Sequence, residues 1–388
     1  MGDETLESFH LASHEVALHF NAPVSSIYQI EQWIPTLEEL NSRVKVAIIV
    51  RRKSSFQWLI EHTNFSIIFA HTQNDLVNSY EENNFKCILY VNNGVQNFQS
   101  LAYRNALHVH INHGESEKTS TISNQANAYN YLFVVAKAGY DKYRLNLLEK
   151  NMQKFIEIGR PQLEHIPKIA PFNTDRKVIL YAPTWEGTHK SMNYSSLGEF
   201  GIEMVKQIVD SNRFYLVYKP HPNTGFNDKQ VKIADEEITA ILQKSPYGEV
   251  IKSGDINSLY EHINIAIFDN SAIAIDYLAV DKPMIMTDMF YRVKDRQSKP
   301  TIIKAAFMLS KERSGDILEI VDRELREDSL KKEREKIKRY FLGDKNYKEG
   351  ESTEAFISQV MDIMEKRDEA LRRLKELNAK ESLLDESI

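Results

Sequence analysis

Arg213-Phe-Tyr-Leu-Val-Tyr-Lys-Pro-His-Pro222 is the stretch whose reading decides the fold. Phe214 to Tyr218 are the aromatic and branched types that fit a strand. The run then breaks into Lys219-Pro-His-Pro222 and Asn223-Thr-Gly225. Two prolines fix the backbone around the imidazole, so Lys219 and His221 are presented rigidly where a strand ends. A cation two residues before a histidine suits an anionic ligand. Three further polar turns, at His113, Thr184 and Ser271, also close apolar runs.

Outward from this stretch, short apolar runs alternate with longer amphipathic ones. Val16–Phe20, Val44–Val50, Phe65–Ala70, Cys87–Val91 and Leu107–Ile111 read as strands. Ile30–Leu40, Phe56–His62, Asp75–Asn83 and Phe98–Asn105 read as helices between them. The rhythm pauses at Gly159-Arg-Pro-Gln162, Pro167 and Pro171, a linker-like stretch. It resumes with strands at Val178–Ala182, Phe214–Tyr218, Ile263–Phe268 and Pro283–Thr287 and helices at Leu197–Val209, Asp235–Gln243 and Ala272–Ala279. Strict alternation of strand and helix implies parallel, doubly wound sheets. The expected architecture is α/β, with two Rossmann-like halves joined near residue 170. Ile317–Arg339 is dense in charge and is expected as exposed helix. From Ser352 the chain reads as helix again, with Leu371, Leu374 and Leu377 as its packed face. A dimer seam or a membrane-surface contact through that stripe is the alternative.

With 388 residues, two domains of roughly 150 to 200 residues are expected. A net charge of −6 provides no basic field for nucleic acid, so none is expected as partner. Cys87, the one cysteine, lies in an apolar run and reads as a buried inert thiol. No run approaches the ~18 apolar residues of a membrane span, and Met-Gly-Asp-Glu is not the start of a signal peptide. A cytoplasmic protein is expected.

In open parallel sheets, ligands bind beyond the carboxyl ends of strands. At the first candidate turn, His108 and His110 share one face of a strand, while His113 falls on the exit turn beside Gly114. A histidine there can act as a general base near neutral pH. Three histidines so close also raise a metal site, but no cysteine or His-x-x-x-His pair accompanies them, and none is expected. At the second, Thr184 offers a hydroxyl and Trp185 a flat apolar face. At the third, Lys219 can neutralise a phosphate and His221 can hydrogen-bond or protonate it. At the fourth, Asn270 or Ser271 stands where it can cap the following helix. Asp276, one turn on, reads as a buried structural carboxylate or a hydroxyl partner. A fifth stretch, Gly350-Glu-Ser-Thr353, resembles a phosphate-binding helix start. Gly-x-Gly-x-x-Gly, Walker A and Gly-x-Ser-x-Gly patterns are missing, which disfavours dinucleotide, P-loop and hydrolase sites.

The joint order of His113-Gly114, Gly159-Arg-Pro161, Leu180-Tyr-Ala-Pro-Thr-Trp185, Lys219-Pro-His-Pro222, Asp269-Asn-Ser271, Asp276-Tyr-Leu278, Asp281-Lys-Pro283 and Gly350–Thr353 resembles the CDP-glycerol glycerophosphotransferase family. These are the teichoic-acid polymerases and primases. The likeness covers roughly residues 105–360, and the first hundred residues show no clear match. It implies a GT-B architecture with an acceptor domain at 1–170, a nucleotide-donor domain at 171–345 and a helical extension at 346–388. It further implies that His113 activates the acceptor hydroxyl and that His221 stabilises the donor diphosphate. Arg160, Thr184, Trp185, Lys219, Ser271, Asp276, Ser352 and Thr353 would serve the donor side, and Gly114, Glu115 and Lys118 the acceptor side. The donor would be CDP-glycerol or another nucleotide-activated compound, with no tightly bound cofactor and a divalent ion left open. The acceptor would be a lipid-linked or polymeric glycan, which is compatible with a peripheral position on the inner face of the plasma membrane. A GT-B glycosyltransferase using a UDP-sugar is the alternative. The family usually carries Trp-His-Gly-Thr-Pro-Leu-Lys and Asp-Tyr-Ser-Ser. Here Asn112-His-Gly-Glu-Ser-Glu-Lys118 and Asp269-Asn-Ser-Ala272 replace them, as in a divergent branch seen especially in actinobacteria.

Overall fold

The computed structural model describes residues 14–117, 122–187, 193–290 and 300–385. Two sheets organise them. The first contains β1 (Val16–Phe20), β2 (Val46–Val50), β3 (Ser66–Phe69), β4 (Cys87–Tyr90), β5 (Leu107–His110), β6 (Tyr131–Val134) and β7 (Phe155–Glu157), in the order β3-β2-β1-β4-β5-β6-β7. The second contains β8 (Lys177–Ala182), β9 (Phe214–Tyr218), β10 (Gly248–Val250), β11 (Ile265–Phe268), β12 (Met284–Thr287) and β13 (Phe307–Leu309), in the order β10-β9-β8-β11-β12-β13. All pairings are parallel. In each sheet the chain winds outward from its first strand, returns beside it, and winds outward on the other side. That is the doubly wound Rossmann order, and it opens a crevice at β1/β4 in one sheet and at β8/β11 in the other.

β2 and β11 bury every residue, as strands covered on both faces must. Two predicted strands form with the expected bounds, at Val16–Phe20 and Phe214–Tyr218. β6, β7, β10 and β13 escape the sequence pattern; β7, β10 and β13 have only three residues each, and β10 is half-buried throughout. Cys87 is fully buried in β4, where burial pushes its thiol far up.

The charged stretch after residue 317 corrects an expectation. It forms two helices, Ile317–Glu327 and Lys331–Leu342, separated by Asp328 in the left-handed region (φ 41°). They are not simply exposed. Ile320, Val321, Ile337 and Phe341 enter the second sheet's core. Arg334 is buried with them and satisfied by Asp328 at 2.7 and 2.8 Å and by Asp281 at 3.1 Å. Charge density fails as a sign of exposure where the charges pair with one another.

The last helix, Glu351–Asp385, returns to the first sheet. Phe356, Ile357, Val360, Ile363 and Met364 complete that sheet's core. Phe356 lies 5.1 Å from Trp33 and 5.9 Å from Phe133 between ring centres. Further along, Arg367 donates to the Asn105 carbonyl at 2.7 Å. The packed face therefore sits earlier than expected, and Leu374 and Leu377 are exposed. Phe356→Ala is expected to cost about 3–5 kcal/mol, whereas Leu374→Ala should stay within about 0.5 kcal/mol. Denaturant titration of the two variants checks the contrast.

Candidate active site in the cleft between the sheets

His113 follows β5 on a turn built by Asn112. Asn112 adopts φ 60°, a left-handed conformation that asparagine tolerates and a tryptophan would not without strain. Its Oδ1 accepts from His113 N–H at 2.9 Å, its Nδ2 donates to the Gly114 carbonyl at 2.8 Å, and its own carbonyl accepts from Trp33 Nε1 at 2.6 Å. His113 Nδ1 lies 2.7 Å from the Val91 carbonyl, which can only accept. Nδ1 therefore carries the proton, and in the neutral ring Nε2 holds the lone pair. Burial lowers the pKa of His113, the Val91 contact opposes this, and the Arg160 charge adds to the lowering.

His221, after β9, has the opposite arrangement. Its Nδ1 accepts from Asn223 N–H at 3.1 Å, so Nε2 bears the proton and can donate. Trp185 stacks on the ring with centres 5.9 Å apart and 17° between planes. The loop following His221 is braced by Glu186, a buried residue missed in the sequence. Its carboxylate accepts from the backbone N–H groups of Gly225, Asn227 and Asp228 at 3.0, 2.6 and 3.1 Å. Lys219 is half-buried and donates to the Ser253 carbonyl at 2.9 Å, and burial lowers its pKa. Asp255 was also missed. Burial raises its carboxyl, with Asp276 adding to the rise and Arg160 and Lys219 opposing it.

At the β8/β11 crevice, Asp269 joins the two strand ends. It accepts from Thr184 N–H at 2.9 Å, Ser196 N–H at 3.2 Å and the Thr287 hydroxyl. Burial pushes its pKa up to about 6. Thr184 is buried beside it, while Ser271 begins the helix Ala272–Tyr277 and donates weakly to the Asp269 carbonyl.

Arg160 and Asp276, both placed on the donor side by resemblance, bond to each other. Nε and Nη2 donate to the two carboxylate oxygens at 3.0 Å each, with both side chains about 5 % exposed. Arg160 also donates to Gln162 at 2.7 Å and to Gln32 at 3.1 Å, so this pair fastens the segment before β8 to both sheets. Nearby, a Cβ on Gly114 would stand 3.3 Å from Ala272 Cβ, the two domains meeting closely there. Glu115, expected on the acceptor side, is instead buried in an ion pair with Lys142 at 2.6 Å. Lys118 lies outside the described residues.

Ser352 and Thr353 open the last helix and are fully buried. Their N–H groups donate to the Glu164 carboxylate at 2.7 and 2.8 Å, so a protein anion takes the place that a phosphate would have at this helix start. Gly159, at φ 82°, passes so close that a Cβ would stand 2.2 Å from Ser352 Oγ. His108 is used inside the domain, bonding Tyr90 OH and the Tyr103 carbonyl at 2.7 Å each. His110 is buried and held at about 3. Among the described residues, no three His, Cys, Asp or Glu are grouped to hold a metal ion.

Tyr28 connects these loops and carried no sequence signal. From the short helix Tyr28–Glu31 after β1, its ring meets His113 and His221 edge-on, each 6.1 Å between centres.

Two doubly wound domains facing one another, with a cleft at the carboxyl ends of strands from each, define a GT-B fold. The chain belongs to the CDP-glycerol:poly(glycerophosphate) glycerophosphotransferase family, which residues 33–362 match. The match starts well before residue 105, so the likeness extends further toward the N-terminus than the motifs suggest. No curated protein sequence matches the chain significantly. Among solved structures, a UDP-GlcNAc 2-epimerase from Neisseria meningitidis bound to UDP-GlcNAc is similar at TM-score 0.59 and 13% identity, over 90% of this chain and 100% of that one. A glycosyltransferase from Rickettsia africae is similar at 0.56 and 13%, over 92% and 99%. A variant of the wall teichoic acid polymerase TagF soaked with CDPG is similar at 0.57 and 11%, over 91% and 89%. At these identities the likeness shows the fold alone.

Asp276→Ala strands Arg160 without its counter-charge in a buried setting, and a stability loss of about 3–5 kcal/mol is expected, read as a lower thermal midpoint. Acid should also destabilise the protein. His19 and His110 titrate at about 3 when folded, because burial lowers them, and near 6.5 when unfolded. Between those values the unfolded chain binds more protons, so stability falls as pH drops through that window. Melting curves from pH 7 to pH 4 check this, and His110→Gln should weaken the dependence.

Proposed function

We propose that the chain transfers glycerol phosphate, or a related polyol phosphate, from a CDP-activated donor to an acceptor hydroxyl during synthesis of a cell-surface glycopolymer. The observation that carries this reading is the opposite polarity of two imidazoles on facing domains: His113 holds a lone pair at Nε2, and His221 a proton. A phosphoryl transfer between a hydroxyl and a diphosphate can use both, one as proton acceptor and one as donor. His113 Nε2 takes the proton of the acceptor hydroxyl as its oxygen attacks the β-phosphorus. The bond from that phosphorus to the bridging oxygen breaks, and CMP leaves with the electron pair. His221 donates to a diphosphate oxygen and stabilises the charge that develops there. The lowered pKa of His113 keeps the ring neutral at physiological pH, as a base must be.

Lys219 adds positive charge next to His221, while Thr184 and Ser271 line the β8/β11 crevice where a nucleotide fits a doubly wound sheet. Trp185 orients His221 by stacking. Arg160 and Asp276 hold the domains in register for the two histidines to cooperate. Gly114 lets the acceptor approach the base, and Ser352 and Thr353 act through the Glu164 cap. No helix among the described residues is long and apolar enough to cross a membrane. A lipid-linked acceptor would then be met by peripheral contact at the inner membrane face.

His113→Ala is expected to lower turnover by about 10²- to 10⁴-fold while leaving donor binding intact. The test incubates the protein with CDP-glycerol and an acceptor, following CMP release and thermal stabilisation. Stabilisation and turnover confined to uridine nucleotides, with UDP released, would instead assign a sugar transferase.

A further inference from the structure

We propose that Tyr28 is a positioning residue that walls the gap between His113 and His221 and keeps water out of it. The inference rests on the functional reading above, and Tyr28 lies outside the family match, which begins at residue 33.

Tyr28 follows β1, at the crevice where the strand order of the first sheet reverses. Its ring meets both imidazoles at the same centre distance, 6.1 Å, and at nearly the same angle, 79° and 81°. Edge contacts of this kind are favourable and directional. A flexible loop would not hold a ring between two domains, but this segment is tied at several points. Ile30 and Trp33 are anchored in the first core. Gln29 accepts from Asn92 Nδ2 at 3.0 Å. Gln32 Nε2 donates to the Tyr28 carbonyl at 3.1 Å, and Gln32 Oε1 accepts from Arg160, which is itself paired with Asp276. Trp33 Nε1 bonds the carbonyl of the very turn that carries His113. One segment thus registers its aromatic ring against the base, the facing histidine and the interdomain ion pair.

Two chemical consequences follow. Attack on the β-phosphorus requires acceptor oxygen and phosphorus to meet at about 3–3.5 Å, a constraint that a fixed wall between the imidazoles helps to impose. Water is also a competent nucleophile: its attack would turn CDP-glycerol into CMP and glycerol phosphate, its proton passing to His113. Excluding water therefore protects the donor as well as the base. The charged and titratable groups around His113 are Arg160 on the seam, His110 on β5, the Tyr28 phenol itself and, across its ring, His221. Removing the Tyr28 ring hydrates His113 without altering Arg160 or His110.

The test compares wild type, Tyr28→Phe and Tyr28→Ala in the full chain by two readouts. The first is NMR titration of the His113 imidazole with no donor present. Tyr28→Ala should move its midpoint up toward the ordinary value near 6.5, while Tyr28→Phe, which keeps the ring, should match wild type. The second is the ratio of donor hydrolysis to transfer with CDP-glycerol, which should rise about 10-fold or more in Tyr28→Ala and be restored in Tyr28→Phe. Titration curves that coincide in all three proteins overturn the proposal. If the titration shifts as expected but wild type releases no CMP, Tyr28 keeps its role and the assignment of the donor fails.

Discussion

The ion pair between Arg160 and Asp276 is the constraint on which the rest of the cleft depends. Neither sheet alone holds both histidines, because His113 follows a strand of one and His221 a strand of the other. A buried guanidinium is costly to desolvate, and only a bidentate partner with further acceptors offsets that cost. Arg160 has Asp276 from the second domain, Gln32 from the first and Gln162 beside it. Such a pair contributes little net stability compared with an apolar contact. What it specifies is registry, since a domain slip of one or two ångströms would leave an uncompensated charge inside.

Around that fastening, each domain places its histidine by the same device, a strand that stops at a turn tied by side chains. In the first, Asn112 supplies the left-handed residue and uses its side chain to tie the turn. In the second, two prolines and the Glu186 carboxylate do so. The different anchors produce different tautomers: a carbonyl facing Nδ1 leaves a lone pair at Nε2, and an N–H facing Nδ1 leaves a proton there. Backbone atoms next to the rings thereby decide which histidine can accept and which can donate.

Much of this was legible in the chain, for physical reasons. Strand ends such as Tyr218-Lys-Pro-His221 announce themselves through an abrupt change from β-favouring residues to Pro and Gly. The order of those turns along the chain marks the family. What was not legible is long-range. Glu164 bonds Ser352 from 188 residues away, and Arg160 bonds Asp276 from 116 away. No local pattern distinguishes such a carboxylate from a solvated one. Tyr28 was hidden for a different reason: an aromatic residue near a short helix reads as core, and only the fold brings it against two histidines.

The return of the last helix to the first sheet has a consequence in time. Val16, the start of β1, is made well before Phe356, Ile357, Val360 and Ile363, which seal its hydrophobic core. The second sheet, β8 to β13, is synthesised entirely within that interval. Nascent chains tend to fold domain by domain from the N-terminus, yet here the first sheet can close only after the second has been made. Until residues 356–364 have been made, an apolar face of the first sheet stays open, and a holdase chaperone would have its longest dwell there.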